Sequence, residues 1–347
     1  MHLARWSDVG QLEVADVALV PPEHDEVQIE IGSAGICGSD LHFFRGDFPA
    51  RIGLTPGHEF GGTVSAVGAD VKHIKEGDLV GVEPLLRCGM CPFCISGDYH
   101  VCADHGVIGE IQNGGMAQFT TVPGLTAFKA PQGIDAELVA LAEPLACSVH
   151  GFDKVRLRGH ETVFILGAGS IGLTAILAAR ANGAHTIVLA RHPHQQAAAR
   201  SLGADEVIGE DEAGVARMEE LRRARVVDVA VETVGGKGDT LMQAQLIVRP
   251  KGKVVVLGVF SGGPVNIHPL YLAAREVEII GSMTYAASEG HTDYQIALDV
   301  IQDYAEEARC LVTHTFSLDE VNTAFATALD KASESIKVHL KPNSLVV

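Results

Sequence analysis

Two patterns of hydrophobic residues divide the chain. Up to about residue 125, apolar positions come in short stretches, one of which alternates at residues 27–31, and glycines interrupt them repeatedly. Alternation with a period of two predicts half-buried strands, and the glycine breaks predict tight turns. This first part is therefore predicted to form a β-rich, barrel-like unit.

From about residue 155 the pattern changes to alternating strands and helices. Residues 162–166 form a continuous apolar run, as the buried strands of a parallel sheet require. Further strands are predicted at 186–190, 206–208, 226–232 and 253–259, and helices at 171–182, 194–202 and 214–223. Repeated β-α-β units predict a doubly wound parallel sheet. The tail is predicted to contain helices at 293–308 and 318–333 and a last strand at 336–340.

Length and charge narrow the classes of function. The chain has 347 residues, which suggests two domains, and its formal net charge is −18. So acidic a protein is not expected to bind nucleic acid or an anionic membrane surface, because both select basic patches. The first residues lack the charged-then-apolar order of a signal peptide, which predicts a cytoplasmic protein.

Four of the seven cysteines fall within fifteen residues: Cys88, Cys91, Cys94 and Cys102. Four thiolates with this spacing can surround one Zn²⁺ ion tetrahedrally and leave no open position, which predicts a structural zinc site that orders the loop. An iron–sulfur cluster and a chance group of buried thiols are the alternatives.

A second set of candidate ligands consists of Cys37 and the pair His58-Glu59, all flanked by glycines. Thiolate, imidazole and carboxylate make a three-ligand set for catalytic zinc, with the fourth position open to water or substrate. The alternative interpretation of each piece alone is that Cys37 is a buried thiol and that His58-Glu59 forms a surface turn.

A glycine-rich turn follows the apolar run 162–166 and opens a predicted helix. It reads Gly167-Ala168-Gly169-Ser170-Ile171-Gly172, which is G-x-G-x-x-G in its diagnostic context. The glycines allow a tight turn and close approach of a pyrophosphate, and the helix N-terminus stabilises its charge. These residues are therefore predicted to bind a dinucleotide.

Taken in this order, the motifs resemble those of the zinc-dependent medium-chain dehydrogenases, and most closely the polyol (sorbitol) and threonine dehydrogenase branch. The resemblance also includes Glu143-Pro144-Leu145 and the closing Ser335-Ile336-Lys337-Val338. It implies an α/β fold in which a GroES-like β-rich catalytic domain (1–144 and 286–347) is interrupted by a Rossmann domain (145–285).

The resemblance also implies roles for individual residues. Cys37, His58 and Glu59 correspond to catalytic zinc ligands, and Glu143 binds that zinc directly or through its water. Cys147, one helical turn further on, is either a competing ligand or a buried thiol. Ser39 and His42 match a relay that carries the proton of the alcohol by way of the cofactor ribose, while hydride passes to the nicotinamide.

Cofactor choice is predicted from a departure from the family pattern. NAD-specific members carry an acidic residue at the end of the second Rossmann strand, where this chain has Ala190 followed by Arg191. Arg191 could pair with a 2′-phosphate, with Arg200 either assisting or lying on a solvated helix face. NADP(H) is therefore favoured over NAD(H), which stays the alternative.

The predicted function is hydride transfer between a nicotinamide cofactor and a secondary alcohol, polyol or amino alcohol, by a homodimer or homotetramer with two zinc ions per chain. Alternatives are a simple alcohol or aldehyde dehydrogenase of the same family, a zinc-free quinone or enoyl reductase, and a non-catalytic relative of the fold. Candidate substrate-pocket residues are Phe43, Phe44, Phe48, Glu110, Leu270 and Tyr271.

Overall fold

The computed structural model describes residues 1–260, 262–288 and 290–343. By its contacts the chain divides into two units, Met1–Glu143 with Ala286–Val347, and Pro144–Tyr285. Across these described residues, none of the helices has the length and apolar character needed to cross a bilayer.

The N-terminal part of the first unit is built mainly from strands. They are β1 (His2–Asp8), β2 (Gln11–Asp16), β3 (Glu26–Gly35), β4 (Glu59–Val67), β5 (Leu79–Val82), β6 (Leu85–Leu86), β7 (Gly106–Val107), β8 (Phe119–Pro123) and β9 (Ala127–Lys129). Three short helices interrupt them: α1 (Gly38–Arg45), α2 (Pro92–Ser96) and α3 (Ala136–Val139).

The second unit alternates strands and helices. Its strands are β10 (Thr162–Leu166), β11 (His185–Leu189), β12 (Glu206–Ile208), β13 (Val229–Glu232), β14 (Lys253–Val256) and β15 (Glu278–Gly281). The helices are α4 (Ala142–Val155), which begins at the end of the first unit, α5 (Ser170–Ala181), α6 (Pro193–Ser201), α7 (Glu212–Ala224), α8 (Thr240–Ile247) and α9 (Pro269–Arg275).

The C-terminal part returns to the first unit. It contains β16 (Ala287–Ser288), β17 (His291–Thr292), β18 (Val312–Phe316) and β19 (Lys337–Leu340), with helices α10 (Asp293–Asp303), α11 (Ala305–Ala308) and α12 (Val321–Leu329). Short 3₁₀ turns lie at Tyr99–Val101, Gly124–Thr126, Arg309–Leu311, Leu318–Glu320 and Lys331–Ser333.

Strand β3 organises the seven-stranded sheet of the first unit. The sheet order is β18-β19-β3-β4-β5-β9, and β8 also pairs with β3. The alternating apolar side chains of β3, Ile29 and Ile31, are fully buried, and Phe60 and Phe325 join them in one core. Because β19 pairs antiparallel with β3, the end of the chain completes the sheet on which the first candidate zinc ligands lie.

The second unit has the predicted parallel sheet, with six strands in the order β12-β11-β10-β13-β14-β15. From β10 the chain adds β11 and β12 on one side of the sheet. It then returns to the other side of β10 and adds β13, β14 and β15 there, so the strand order reverses at β10. A crevice forms at the carboxyl ends of the strands where such an order reverses, and dinucleotides bind there in open α/β sheets.

Several predicted boundaries differ from the structure for local reasons. The strand predicted at 253–259 ends at Val256, because Leu257 and Gly258 donate their N–H groups to the carbonyl of Glu232 instead of continuing the ladder. The helix predicted at 293–308 is broken at Tyr304. Helices α1, α2, α3, α4, α8 and α9 and strand β15 are additional to the prediction.

Candidate active site

The first set of candidate ligands lies where β3 leads into α1 and where β4 begins. Cys37 precedes α1, and Glu59 is the first residue of β4, opposite Gly35 in the β3–β4 pairing. One ligand atom each from Cys37, His58 and Glu59 lies within 4.8 Å of the other two. The sheet register therefore brings Cys37 next to the pair His58-Glu59, which lies more than twenty residues later in the sequence.

The chemistry of this donor set fits a zinc ion. A thiol, an imidazole and a carboxylate are the ligand types zinc takes, and three protein ligands leave its fourth position open. His58 and Glu59 are buried, at 6% and 1% exposure. Burial alone would lower the pKa of His58, but the negative charges of Cys37 and Asp40 raise it well above its ordinary value. A cation among these groups would satisfy that excess of negative charge.

Glu143 lies in the first turn of α4 and is 6% exposed. Its charge acts on both His58 and Lys337, which places it beside the ligand set. Among the described residues, however, the group of atoms within 4.8 Å of one another comprises Cys37, His58 and Glu59 without Glu143. Cys147 lies one turn later in α4.

Asp40 is a residue of this site that the sequence reasoning did not assign. Its buried carboxylate accepts the backbone N–H of Cys37 at 2.9 Å, and its other oxygen lies 4.0 Å from Nδ1 of His58. Burial raises the pKa of Asp40 to about 6. At 4.0 Å the two groups interact through charge without a hydrogen bond, so Asp40 adds a negative charge beside His58. The signal in the sequence was a carboxylate three residues after the helix-capping position.

Lys337 is the second unassigned member. Its ammonium group donates to both carboxylate oxygens of Glu59 at 2.7 Å, and both side chains are buried. Burial opposes its charge, but Glu59 and Cys37 hold the pKa of Lys337 above its ordinary value. A carboxylate has about four lone-pair positions, so Glu59 can accept from Lys337 and still bind a metal ion.

The predicted proton-relay residues both lie on α1. Ser39 and His42 are three residues apart and thus on one face of the helix. Nδ1 of His42 lies 2.8 Å from a carboxylate oxygen of Asp47, and its ring packs on Phe48 with centroids 5.2 Å apart. Hydrogen bonds from His42 and Arg45 lower the pKa of Asp47. The side chain of His42 is 25% exposed, so this histidine reaches solvent and lies beside a carboxylate.

The proposed substrate-pocket aromatics lie in three separate places. Phe43 and Phe48 pack on each other next to His42. The ring of Phe44 instead stacks on Phe325 at 5.0 Å, in the core of the first unit. Tyr271 belongs to α9, where its hydroxyl donates to the carbonyl of Leu246.

The four-cysteine loop forms the second group of metal-binding side chains. Sulfur atoms of Cys88, Cys91, Cys94 and Cys102 lie within 4.8 Å of one another, with Cys88 to Cys102 at 3.6 Å. Backbone N–H groups of Met90 and Cys91 lower the pKa of Cys88 to about 7. Four converging sulfurs and N–H groups that favour thiolate are what a closed zinc site requires.

A buried polar network anchors this loop at its base. The carboxylate of Glu83, fully buried, accepts the hydroxyl of Tyr99 and, at 3.0 Å, the guanidinium of Arg87. That guanidinium also lies 3.8 Å above the ring of Tyr99. Because Arg87 precedes Cys88 and Tyr99 precedes Cys102, Glu83 ties both ends of the loop to β5.

The glycine motif forms the turn between β10 and α5. Gly167 has a positive φ of 99°, and Gly169 is the capping residue of α5, so that Ser170, Ile171 and Gly172 form its first turn. A Cβ at Gly172 would overlap the carbonyl oxygen of Gly167 and lie 2.9 Å from the hydroxyl of Thr233. A Cβ at Gly169 would meet nothing within 4 Å, so this position faces open space at the helix N-terminus.

Glu232 and Thr233, which the sequence reasoning left unassigned, fix the other wall of this crevice. One carboxylate oxygen of the buried Glu232 accepts from the N–H groups of Val234 and Gly235, each at 2.9 Å, and from the hydroxyl of Thr240. The Thr233 hydroxyl donates to Leu166 at 2.7 Å. The residues after β13 are thereby held against the glycine turn. A buried acidic residue at the end of a strand was the available signal.

The predicted cofactor-selecting residues follow β11. Ala190 is buried, and its N–H donates to Ile208. Arg191 is exposed and lies 3.5 Å from a carboxylate oxygen of Glu210, which follows β12. The chain has no acidic residue at this position, but Glu210, which follows the neighbouring strand, lies beside Arg191 in the structure.

Two family models and many known proteins match this chain. The family model of the alcohol dehydrogenase GroES-like domain matches residues 23–132, and that of the zinc-binding dehydrogenases matches residues 170–303. The chain is 31% identical to sorbitol dehydrogenase of Bacillus subtilis over 350 residues, which covers 99% of this chain and 96% of that protein.

Solved structures of the same fold cover nearly the whole chain. Galactitol-1-phosphate dehydrogenase from Escherichia coli superposes with a TM-score of 0.89 and 30% identity, covering 99% of this chain and 100% of that one. A putative zinc-binding dehydrogenase from Sinorhizobium meliloti bound to NADP superposes with a TM-score of 0.85 and 29% identity. The match covers 98% of this chain and 99% of that one. The rspB alcohol dehydrogenase of Escherichia coli, complexed with NADH, superposes with a TM-score of 0.88 and 26% identity, and the match covers 99% of both chains.

The two family models match segments in both units, and the relatives cover nearly the whole chain. It belongs to the zinc-dependent medium-chain dehydrogenases, in their polyol branch, which are nicotinamide-dependent alcohol oxidoreductases.

Proposed function

We propose that this chain interconverts a secondary alcohol of a polyol and the corresponding ketone, with a nicotinamide dinucleotide as hydride acceptor or donor. The observation that carries the proposal is the convergence of Cys37, His58 and Glu59 within 4.8 Å. A zinc ion bound there supplies a Lewis acid for the substrate oxygen. The third ligand is a carboxylate, as the polyol branch has it.

The residues around the ligand set divide the remaining tasks. Lys337 holds Glu59 in place through two hydrogen bonds, and Asp40 supplies a negative charge beside His58. Glu143, in the first turn of α4, would bind that ion directly or through its water. Ser39 accepts the substrate hydroxyl proton as its own hydroxyl proton passes on toward His42, which is partly exposed beside Asp47 and releases a proton to solvent.

The four-cysteine loop holds a second, structural zinc ion in this proposal. Its four sulfurs occupy all tetrahedral positions, so this ion takes no part in the reaction. The chain then binds two zinc ions, one lost when Cys37 is replaced and the other when Cys88 is replaced. Residues 1–144 and 286–347 act as the catalytic domain and 145–285 as the cofactor domain of a cytoplasmic homodimer or homotetramer.

NADP(H) is the favoured cofactor, bound through Gly167, Gly169, Ser170, Ile171 and Gly172, with Ala190 and Arg191 at the ribose. The support is the exposed Arg191, whose 3.5 Å ion pair with Glu210 joins two largely exposed side chains. Exposed pairs of this kind contribute about 0–1 kcal/mol, so Arg191 can exchange Glu210 for a 2′-phosphate at little cost.

A substrate panel tests the reaction. Sugar alcohols, threonine and simple alcohols are offered to the zinc-loaded enzyme with NADP⁺ and NAD⁺, and zinc per chain is measured in parallel. Oxidation of a polyol with two zinc ions per chain, one of them lost in Cys37→Ala, is the expected result. Exclusive oxidation of simple primary alcohols favours the alternative, and no activity with any alcohol contradicts the proposal.

Two single substitutions test the cofactor assignment. Arg191→Gln is expected to lower kcat/KM for NADP⁺ about tenfold and to change that for NAD⁺ less than twofold. Glu210→Gln removes a negative charge that would repel the 2′-phosphate, and is expected to raise kcat/KM for NADP⁺. A wild-type enzyme that prefers NAD⁺ contradicts the assignment.

A further inference from the structure

A basic groove lies on the second unit, at some distance from the glycine motif. It encloses a volume of about 600 Å³ and is lined by four arginines, Arg222, Arg223, Arg225 and Arg275, which we call the arginine groove. Tyr271 forms part of its wall. The whole chain carries a net charge of −18, so four arginines around one concavity contrast with the rest of the molecule.

The positive charges of the groove are only partly neutralised. Glu219 also lines it and pairs with Arg222 and with Arg223, each at 3.0 Å. Arg225 and Arg275 form no ion pair within 4.0 Å with any residue of the described chain. One carboxylate therefore faces four guanidinium groups.

The arginines are held close enough to repel one another. Partial burial and the charges of Arg225 and Arg222 lower the pKa of Arg275. The guanidinium of Arg275 lies 4.5 Å above the ring of Tyr271, which restricts its orientation. Arg225 ends α7 in a left-handed conformation, φ 56°, with its N–H bonded to Leu221. The backbone of Arg225 is thus fixed at the end of α7, and the guanidinium of Arg275 is held against an aromatic ring.

Strand direction separates this groove from the dinucleotide crevice. Helix α7 starts after the carboxyl end of β12 and ends at the arginines, just before β13, and Arg275 ends α9 just before β15. The groove therefore lies at the amino edge of the parallel sheet, whereas the glycine motif lies at its carboxyl edge. The thirteen residues of α7 separate the two edges by about 20 Å.

We propose that the arginine groove binds a small anion carrying two or more phosphate groups, at a site separate from the dinucleotide site. Planar guanidinium groups match phosphate oxygens in pairs, and an arginine cluster is the usual protein surface for such ligands. A singly charged anion would leave most of the positive charge unpaired. The volume accommodates a diphosphate with an attached organic group.

Inorganic pyrophosphate is the probe. Calorimetric titration into the zinc-loaded enzyme, saturated with reduced cofactor so that the dinucleotide site is filled, is expected to show saturable binding at constant ionic strength. The double variant Arg225→Gln/Arg275→Gln is expected to bind at least about tenfold more weakly. Zinc content is measured in the same samples, because pyrophosphate binds metal ions.

Arg156→Gln is the matched control, since Arg156 is exposed, lies in the same unit and also has a left-handed φ of 54°. It is expected to bind pyrophosphate like the wild type. No saturable binding by the wild type, or equal binding by the double variant, overturns the proposal. So does a change in the oligomeric state of the double variant, since the groove is then a contact between subunits.

Discussion

Lys337 donates to both carboxylate oxygens of Glu59 at 2.7 Å, although the two residues are 278 positions apart. The contact is possible because β19 pairs with β3, and β3 pairs with β4, which begins at Glu59. The last described strand of the chain thus supplies a counter-charge to a candidate metal ligand. The buried pair links the closing of the sheet to the geometry of the site.

Lys337→Met is expected to destabilise the zinc-free protein by about 3–5 kcal/mol, because Glu59 is left buried without a partner. With zinc bound, the cation shares the charge of Glu59, and a smaller loss is expected. Urea unfolding of both forms measures the difference. Arg5→Gln, which removes an exposed ion pair with Glu13, is the control and should cost less than about 1 kcal/mol. An equal loss with and without zinc contradicts the shared role of Glu59.

Two glycines of the dinucleotide motif are expected to respond differently to alanine. Gly172→Ala places a methyl group against the carbonyl of Gly167, so the turn must open; stability falls by more than about 2 kcal/mol, and cofactor binding is lost. The methyl group of Gly169→Ala meets nothing within 4 Å, so the free energy of unfolding of the cofactor-free variant should lie within about 1 kcal/mol of the wild-type value.

Cofactor affinity distinguishes the two roles. Fluorescence titration with reduced cofactor is expected to show that Gly169→Ala binds at least about tenfold more weakly, because the methyl group occupies the space that a pyrophosphate approaches. Wild-type affinity in Gly169→Ala would mean that the pyrophosphate does not approach this position closely.

The motifs could be predicted from sequence because each requires specific chemistry at short range. Gly167 to Gly172 and the cysteines 88 to 102 are defined by spacing within one loop, and the structure folds each into one cluster. Helix α1 was harder to predict, since its apolar side chains are few and its start depends on the Asp40 carboxylate bonding to Cys37. Lys337, Glu210 and Thr233 gain their partners only through strand pairing, which one sequence does not reveal.

Glu232→Gln tests whether the buried carboxylate positions the crevice. Three donors converge on one oxygen of Glu232, and loss of its charge weakens each bond. The loop after β13 should loosen, and the dissociation constant for reduced cofactor is expected to rise about tenfold, with zinc content unchanged. Glu161→Gln, which replaces an exposed acceptor in the same unit, is the control. Reduced stability with unchanged cofactor affinity would assign Glu232 a purely structural role.

The acid side of the stability profile should depend on Asp78. Burial opposes its charge, but hydrogen bonds from Lys129 at 2.6 Å and from the N–H of Lys75 hold its pKa below the ordinary value of 3.8. A carboxyl with a lowered pKa in the folded state contributes stability above its unfolded pKa and loses it as the pH falls through the folded pKa. Asp78→Asn is therefore expected to cost about 1 kcal/mol at pH 7, and the difference from the wild type should shrink below about pH 4. Urea unfolding at a series of pH values measures this, and a difference that does not change with pH contradicts the assignment.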